Sequence, residues 1–302
     1  MKENTTSCIV KHAHDMVLFF EAVNSNPNGD PDAGNTPRMK PGTNIGQVSS
    51  GCMKRKTRTT AQALYGGEDV RYAKLFFDTD QSLHAKEDAV ADRLFGITAK
   101  KLGDTKAKHP EMAVQFDKAI CEEYADVRLY GAALMQSGEK IQGPVQFSTA
   151  ESVSPIEVIH KQLTRRAIAD DKGLLDEGKE TMFGEKHIVP YGLYRAYIYV
   201  TPKFAEKSGM TEQDLERLRQ SIIHMFDEDK SAARPDMRVR ALYDFEHLDG
   251  DNTLRYRTVE SLSVTPVDEV ANGTRMAEGF SAFTITVDEE ALPDTIRVHK
   301  LL

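Results

Sequence analysis

The sequence predicts an α+β fold. Three observations carry this expectation: apolar strand-like segments flank single helices, a polar helical stretch interrupts the chain at 65–126, and a charged, glycine-broken stretch interrupts it again at 155–187. Asp15 to Val23 is short, apolar and bounded by turn residues, as a buried strand should be. It runs into Asn24-Ser25-Asn26-Pro27-Asn28-Gly29-Asp30-Pro31-Asp32-Ala33-Gly34-Asn35-Thr36-Pro37-Arg38. That run is neither helix nor central strand, because its X-Pro steps favour extended geometry and Asn28-Gly29 favours a tight turn. A helix is expected over Cys52 to Leu64, with Lys54 and Arg58 sharing a face at i and i+4. In the first interruption the best helices are Ala85 to Leu94 and Glu111 to Tyr124, with breaks at Gly96, Gly103 and Pro110. Asp126 to Met135 and Val145 to Val153 read as strands joined through Gln142-Gly143-Pro144. The second interruption, broken at Gly173, Gly178 and Gly184, fits a projecting hairpin or loop. Ile188 to Val200 is the clearest long strand, rich in β-branched and aromatic residues, and its Tyr194, Tyr197 and Tyr199 are expected to pack the sheet. Thr211 starts a helix as a cap, with Asp214 three residues on and an apolar stripe of Leu215, Leu218, Ile222 and Met225-Phe226. Val239 to Phe245, Val259 to Val264 and Phe280 to Val287 read as late strands. This order is compatible with an elaborated ferredoxin-like sheet.

The bulk numbers narrow the function classes. At 302 residues, 40% hydrophobic and 28% charged, the chain has ordinary globular composition and room for one large domain or two small ones. It lacks the roughly 18-residue apolar run of a membrane helix. Met1-Lys2-Glu3-Asn4 lacks the apolar core of a signal peptide, so a cytoplasmic location is expected. Cys8, Cys52 and Cys121 are odd in number and widely spread, which argues against a disulfide framework. The formal net charge is −8, yet from Ala33 through Gly67 there is no acid and there are six cations: Arg38, Lys40, Lys54, Arg55, Lys56 and Arg58. A cationic block in an acidic chain is suited to meeting phosphates.

Other chemistries fit less well. Asp30 and Asp32 beside a phosphate path would suit a metal-dependent nuclease, but no His or third acid follows at useful spacing. Asn24, Asn26, Asn28 and Gly29 occupy calcium-loop positions, but the twelfth is Asn35 where a bidentate Glu is needed. Cys8, His12 and His14 lack a fourth zinc ligand nearby. No phosphate-binding Walker loop, nucleophile elbow or dinucleotide fingerprint is present. No cofactor and no metal is expected.

Five segments, in order, carry a specific resemblance. They are Phe19-Phe20-Glu21-Ala22-Val23 with Asn26-Pro27-Asn28-Gly29-Asp30-Pro31-Asp32-Ala33-Gly34-Asn35 and Pro37-Arg38, then Cys52-Met53-Lys54-Arg55-Lys56, Gly143-Pro144-Val145-Gln146, His187-Ile188-Val189-Pro190-Tyr191-Gly192-Leu193-Tyr194, and Asp229-Lys230-Ser231-Ala232-Ala233-Arg234. Together they resemble the backbone subunit of the CRISPR Cascade complex, type I-C, with the type I-B version close beside it. The resemblance implies a hand-shaped, RNA-recognition-motif-like protein that spans the whole chain. Its palm would be 1–64, 126–154 and 188–302, its helical fingers 65–125 and its thumb hairpin 155–187.

The resemblance further implies a non-enzymatic subunit that polymerises head to tail along CRISPR RNA. It would hold the guide by its backbone, with thumbs displacing nucleotides at intervals. The partners implied are target DNA paired to the guide, further copies of the chain, other Cascade subunits and a recruited helicase-nuclease. Such a holder needs amides and cations near phosphates and no base-edge readout. The expected RNA contacts are Asn24, Asn26 and Arg38 in the loop; Lys54, Arg55 and Arg58 on the helix; Gln142, Gly143 and Gln146 before and in the next strand; Lys161, Arg165 and Arg166 on the thumb; and His187 and Arg234. His160 adds to the thumb's charge. Gly143-Pro144 would let RNA pass close to the sheet. Two positions depart from the family pattern. Ser49-Ser50-Gly51 stands where relatives carry Thr-Asp-Val, so Gly51 should weaken the helix start, and Thr57 replaces an apolar anchor.

Overall fold

The computed structural model describes residues 8–165, 182–249 and 254–302. At its centre lies strand β1 (Ala13–Ser25), longer at both ends than its apolar run. Met16, Leu18, Phe20 and Ala22 enter one core, while Val17 and Phe19 enter another on the opposite face. A strand buried on both faces reads as a continuous apolar run rather than an alternation. β1 pairs antiparallel with Met182–Val200 on one side and Asp236–His247 on the other. The sheet runs Ile296–Lys300, Asp236–His247, β1, Met182–Val200, Ala150–Ser152, Gln47–Val48. Val145–Phe147 pairs with the C-terminal end of the long strand. Its N-terminal end leaves the sheet and pairs with Ile159–Arg165, from Ile188 opposite Ile159 to Met182 opposite Arg165.

One face of the sheet carries helix α1 (Ser50–Tyr65), the helix Glu212–Ile223 and the main apolar core. Phe20 anchors that core, stacked on Tyr194 and tilted against Phe226 at 5.3 Å in each case. Each such aromatic pair adds about 0.5–1.5 kcal/mol beyond the area it buries. The helix Glu212–Ile223 opens with the expected capping box between Thr211 and Asp214. The other face is half covered by a C-terminal hairpin, Leu262–Pro266 with Phe283–Val287, whose Leu262 and Phe283 join Val17, Phe19 and Tyr191 in a second core. The helices Leu83–Phe95, Ala99–Thr105 and Pro110–Glu123 contribute to a third core that includes Phe76, Val90, Leu102, Phe116 and Ile120.

The structure corrects several expectations. Asp126 to Met135 is not a strand. Ala125–Tyr130 is helical and only Gly131–Ala133 is extended. The apolar positions Val127 and Leu129 mimic a strand's period of two, but the buried Arg128 guanidinium binds the Cys121 carbonyl at 2.9 Å and closes the turn. Val145 to Val153 splits into Val145–Phe147 and Ala150–Ser152. Val259 to Val264 begins helically, with Arg255–Ser261 preceding the strand Leu262–Pro266. Phe280–Ala282 forms a short 3-10 turn before the strand Phe283–Val287. The edge strand Ile296–Lys300 adds to the expected strands; Ile296 and Val298 alternate with Arg297 and His299, but the run is short.

Gly51 does not impair the helix start, because Ser49 caps α1 by accepting the Cys52 amide at 3.2 Å. Thr57 is fully buried, and its hydroxyl lies 2.9 Å from that of Tyr130, so it anchors α1 by a hydrogen bond instead of by apolar contact. A Cβ on Gly51 would meet no atom within 4 Å. Gly51→Ala is therefore expected to stabilise the fold by about 0.5–1 kcal/mol, read as a higher urea midpoint. A lower midpoint would contradict this account of the helix start. Among the described residues no helix is long and apolar enough to cross a membrane.

Candidate nucleic-acid interface

The loop after β1 is folded by its own amides. Asn26 is buried, donates its backbone N–H to Ala233 O at 2.7 Å, and donates Nδ2 to Asn35 O at 2.7 Å. Asn28 Oδ1 accepts the Ser49 amide at 2.9 Å, fixing the approach to α1. Asn24 sits exposed at a positive φ of 46°, a conformation Asn tolerates better than most residues. Asp30 accepts the Asp32 amide and pairs with Arg38 at 3.3 Å, so this carboxylate shapes the loop and holds the arginine. Asp32 is exposed. Among the described residues no three His, Cys, Asp or Glu side chains are grouped so as to hold a metal ion. His12 and His14, offered above as zinc ligands, face Glu246 and Asp244.

These loops enclose a cleft of about 760 Å³ against α1. Its walls include Asn28, Gly29 and Asn35 from the loop, Cys52, Arg55 and Lys56 from α1, and Asp227, Asp229 and Arg234 from the segment after the helix Glu212–Ile223. Three of the five resembling segments therefore meet at one place. Arg55 is exposed there. Lys56 is buried, ion-paired to Asp229 and 5.6 Å over the Phe226 ring. Arg234 Nε lies 3.4 Å from the same carboxylate. Burial raises the Cys52 thiol above its ordinary pKa, outweighing the pull of Lys56 and Arg234, so it is a neutral wall residue.

Lys54 and Arg58 take the other face of α1. Lys54 Nζ donates to Gln146 Oε1 at 3.2 Å and stands 5.6 Å over the Tyr130 ring. Arg58 lies 5.0 Å over Phe77 and 5.7 Å over Tyr130, with Asp126 at 3.9 Å. Burial, with the Arg58 charge beside it, lowers the Lys54 ammonium below the ordinary lysine value. Two partly desolvated cations side by side favour an anion between them. Gln146 is exposed and also donates to Gly143 O at 3.2 Å, while Gln142 is exposed at the end of Lys140–Gln142.

Gly143 is buried, and its missing side chain serves the protein's own backbone. A Cβ there would lie 2.2 Å from both Gly131 N and Tyr130 C. Lys161 is exposed on the strand Ile159–Arg165. Arg165 pairs through its backbone with Met182. The Arg165 side chain and all of Arg166 lie outside the described residues. His187 is nearly buried, edge-on to His160 across the strand pair at 4.5 Å. Of the predicted residues, Arg55 and Arg234 line the cleft, Lys54 and Arg58 share a face with Gln146, and Lys161 and His187 lie on the hairpin, whereas Asn24, Asn26, Arg38, Gln142 and Gly143 do not line the cleft. Asp229 and Asp126, which hold the cations, were not singled out as their partners. Only their distance in space from α1, not their spacing in sequence, identifies them.

Comparison with known proteins gives the same direction. The sequence model of the family described as CRISPR-associated protein Cas7 matches residues 12–288. A "CRISPR-associated protein Cas7" from Haloferax volcanii is 25% identical over 228 residues, 68% of this chain and 61% of that protein. The chain thus spans under two thirds of the length of this curated relative. Among solved structures, a chain of a "CRISPR RNA-guided surveillance complex, pre-nicking" aligns with a TM-score of 0.50 at 16% identity, covering 81% of both chains. A second, titled "CRISPR RNA-guided surveillance complex", aligns at 0.42 and 16% identity, covering 77% of this chain and 68% of that one. The first likeness is one of fold: a mixed α/β chain around a central antiparallel sheet.

Proposed function

The chain belongs to the CRISPR-associated protein Cas7 family, and we propose that it is a non-catalytic, guide-RNA-binding backbone subunit of a type I-C Cascade complex. The observation that carries this reading is the convergence of the asparagine loop, the α1 cations and the Asp229–Arg234 segment on one cleft, with Lys54, Arg58 and Gln146 beside it. These groups offer cations, amides and close backbone approach, which suits the phosphate backbone of an RNA held without regard to sequence. On this reading the central sheet is a ferredoxin-like palm, the helical core its fingers and the Ile159–Arg165 hairpin its thumb. Copies stack head to tail as an open helix along the guide, because heterologous contacts need not close. The assembled guide then pairs with target DNA, and cleavage falls to a recruited helicase-nuclease in the cytoplasm. A nuclease reading built on Asp30 and Asp32 is less favoured, since Asp30 is engaged by Arg38 and the Asp32 amide.

The test is RNA binding by Lys54→Ala combined with Arg58→Ala. Two lost phosphate contacts should weaken affinity and reduce the slope of log affinity against log salt by about 1.4, at roughly 0.7 per contact for a single strand. A thermal midpoint near that of the parent would confirm that the variant is folded. Unchanged affinity and slope in the folded variant would refute this use of the α1 face.

A further inference from the structure

The tyrosines of the long strand do not act as one set. Tyr194 points into the main core against Phe20, whereas Tyr197 and Tyr199 stand half-buried on the opposite face, as a period of two requires. Their rings are 6.5 Å apart and within 9° of parallel. The Arg195 guanidinium lies 5.3 Å from the Tyr197 ring centre, and that of Arg255, ion-paired at 2.8 Å to the buried Asp15 carboxylate, lies 5.0 Å from the Tyr199 ring centre. Four flat groups thus stand in a row: cation, aromatic, aromatic, cation.

We propose that Arg195, Tyr197, Tyr199 and Arg255 form a stacking site for the bases of single-stranded RNA, continuous with the Lys54–Gln146 contact. This rests on the nucleic-acid reading above and extends it to a sheet face that sequence patterning assigned to packing. Core packing does account for the neighbouring positions. Tyr191 and Leu193, on the same face, are buried, and Tyr191 is stacked on Phe283 of the C-terminal hairpin. The fully buried stretch ends before Arg195; Arg195, Tyr197 and Tyr199 are half-buried, with Tyr197 packed against the edge of that core.

The surroundings are polar. Gln146 is the strand partner of Tyr199 and Glu151 that of Arg195, and both share their partner's face. Gln146 also accepts from Lys54 Nζ at 3.2 Å, so one edge residue links the Lys54 contact to Tyr199. An aromatic pair flanked by guanidiniums suits unpaired bases, because every base offers a flat face, guanidinium adds cation–π attraction, and Arg195 offers a phosphate partner while Arg255 is held by Asp15. A protein partner would be better served by an aliphatic rim, and Gln146, Glu151 and Gln47 stand there instead.

The experiment measures binding of the full chain to oligouridylate and to an abasic strand of equal length and charge. Tyr197→Ala with Tyr199→Ala should lower affinity for oligouridylate about tenfold or more, leave abasic-strand affinity unchanged and leave the salt slope unchanged. Tyr197→Phe with Tyr199→Phe should restore oligouridylate binding. Parental affinity in the alanine variant, or failure of the phenylalanine pair to restore it, would overturn the stacking site. If Lys54→Ala with Arg58→Ala still weakens binding in that case, only the stacking site falls. Parental protein that binds neither strand would remove the nucleic-acid reading and the stacking site with it. An alanine variant that binds RNA normally but no longer associates with its own copies would assign this face to a protein contact and overturn the proposal.

Discussion

Replacing Asp214 with alanine is expected to destabilise the protein by about 3–5 kcal/mol. Its carboxylate is fully buried and accepts from Arg128 at 2.9 and 3.0 Å, from the Tyr72 hydroxyl at 2.8 Å, and from the Thr211 amide and hydroxyl at 3.0 Å each. It therefore caps the helix Glu212–Ile223 and ties that helix to the helical layer. Removing it strands the buried Arg128 guanidinium with the Cys121 carbonyl as its remaining acceptor. Replacing Arg128 and Asp214 together with apolar side chains should recover part of the loss, since no charge is then left unpaired.

The pH dependence supplies a second check. Burial pushes the Asp214 carboxyl up, but Arg128 and the surrounding donors outweigh it and hold its pKa below the ordinary value. A depressed carboxylate contributes stability that is full above the unfolded-state pKa, about 3.9, and is lost as pH falls below it. The deficit of Asp214→Ala in urea unfolding should thus be largest near neutrality and narrow in acid. A parental urea midpoint at neutral pH would sink this account of how the helices are joined.

Gly143→Ala is expected to cost about 3 kcal/mol, at the upper end for overpacking, because the atoms in the way belong to backbone. The added Cβ would sit 2.2 Å from Gly131 N and Tyr130 C and 2.6 Å from Leu129 O. Gly131 faces it with the same need, at φ +77° and with an added Cβ falling 2.3 Å from Ile141 O. If the glycine instead served only to let RNA approach, the variant would fold normally and lose RNA affinity alone. Thermal unfolding without nucleic acid separates the two: a lowered midpoint supports the packing role, and a parental midpoint refutes it.

Much of the architecture was legible because its signals are local. β1 and the long strand announce themselves by apolar and β-branched runs, and Thr211 with Asp214 marks a helix start by cap chemistry within one turn. Misreadings arose where two local patterns compete. Val127 and Leu129 alternate like a strand, and a buried Arg128 bound to Cys121 and Asp214 decides for helix. Val259 sits in a strand-like run, yet the Thr258 hydroxyl bonds back to Arg255 O at 2.7 Å within a helical turn.

Strong periodicity in the chain specifies the main secondary elements, its composition the cationic block against an acidic background, and its motifs the resemblance to one family. Those depend on neighbours within a few residues, which a linear reading sees. Which cations are engaged depends on contacts between distant parts of the chain. Lys56 meets Asp229 and Arg128 meets Asp214, 173 and 86 residues away, so their burial and charge compensation have no local signature. The tertiary structure also decided that Tyr194 belongs to the core while Tyr197 and Tyr199 stand half-buried on the other face. Strand alternation assigns sides, but where the C-terminal hairpin packs determines which residues of that side are fully buried.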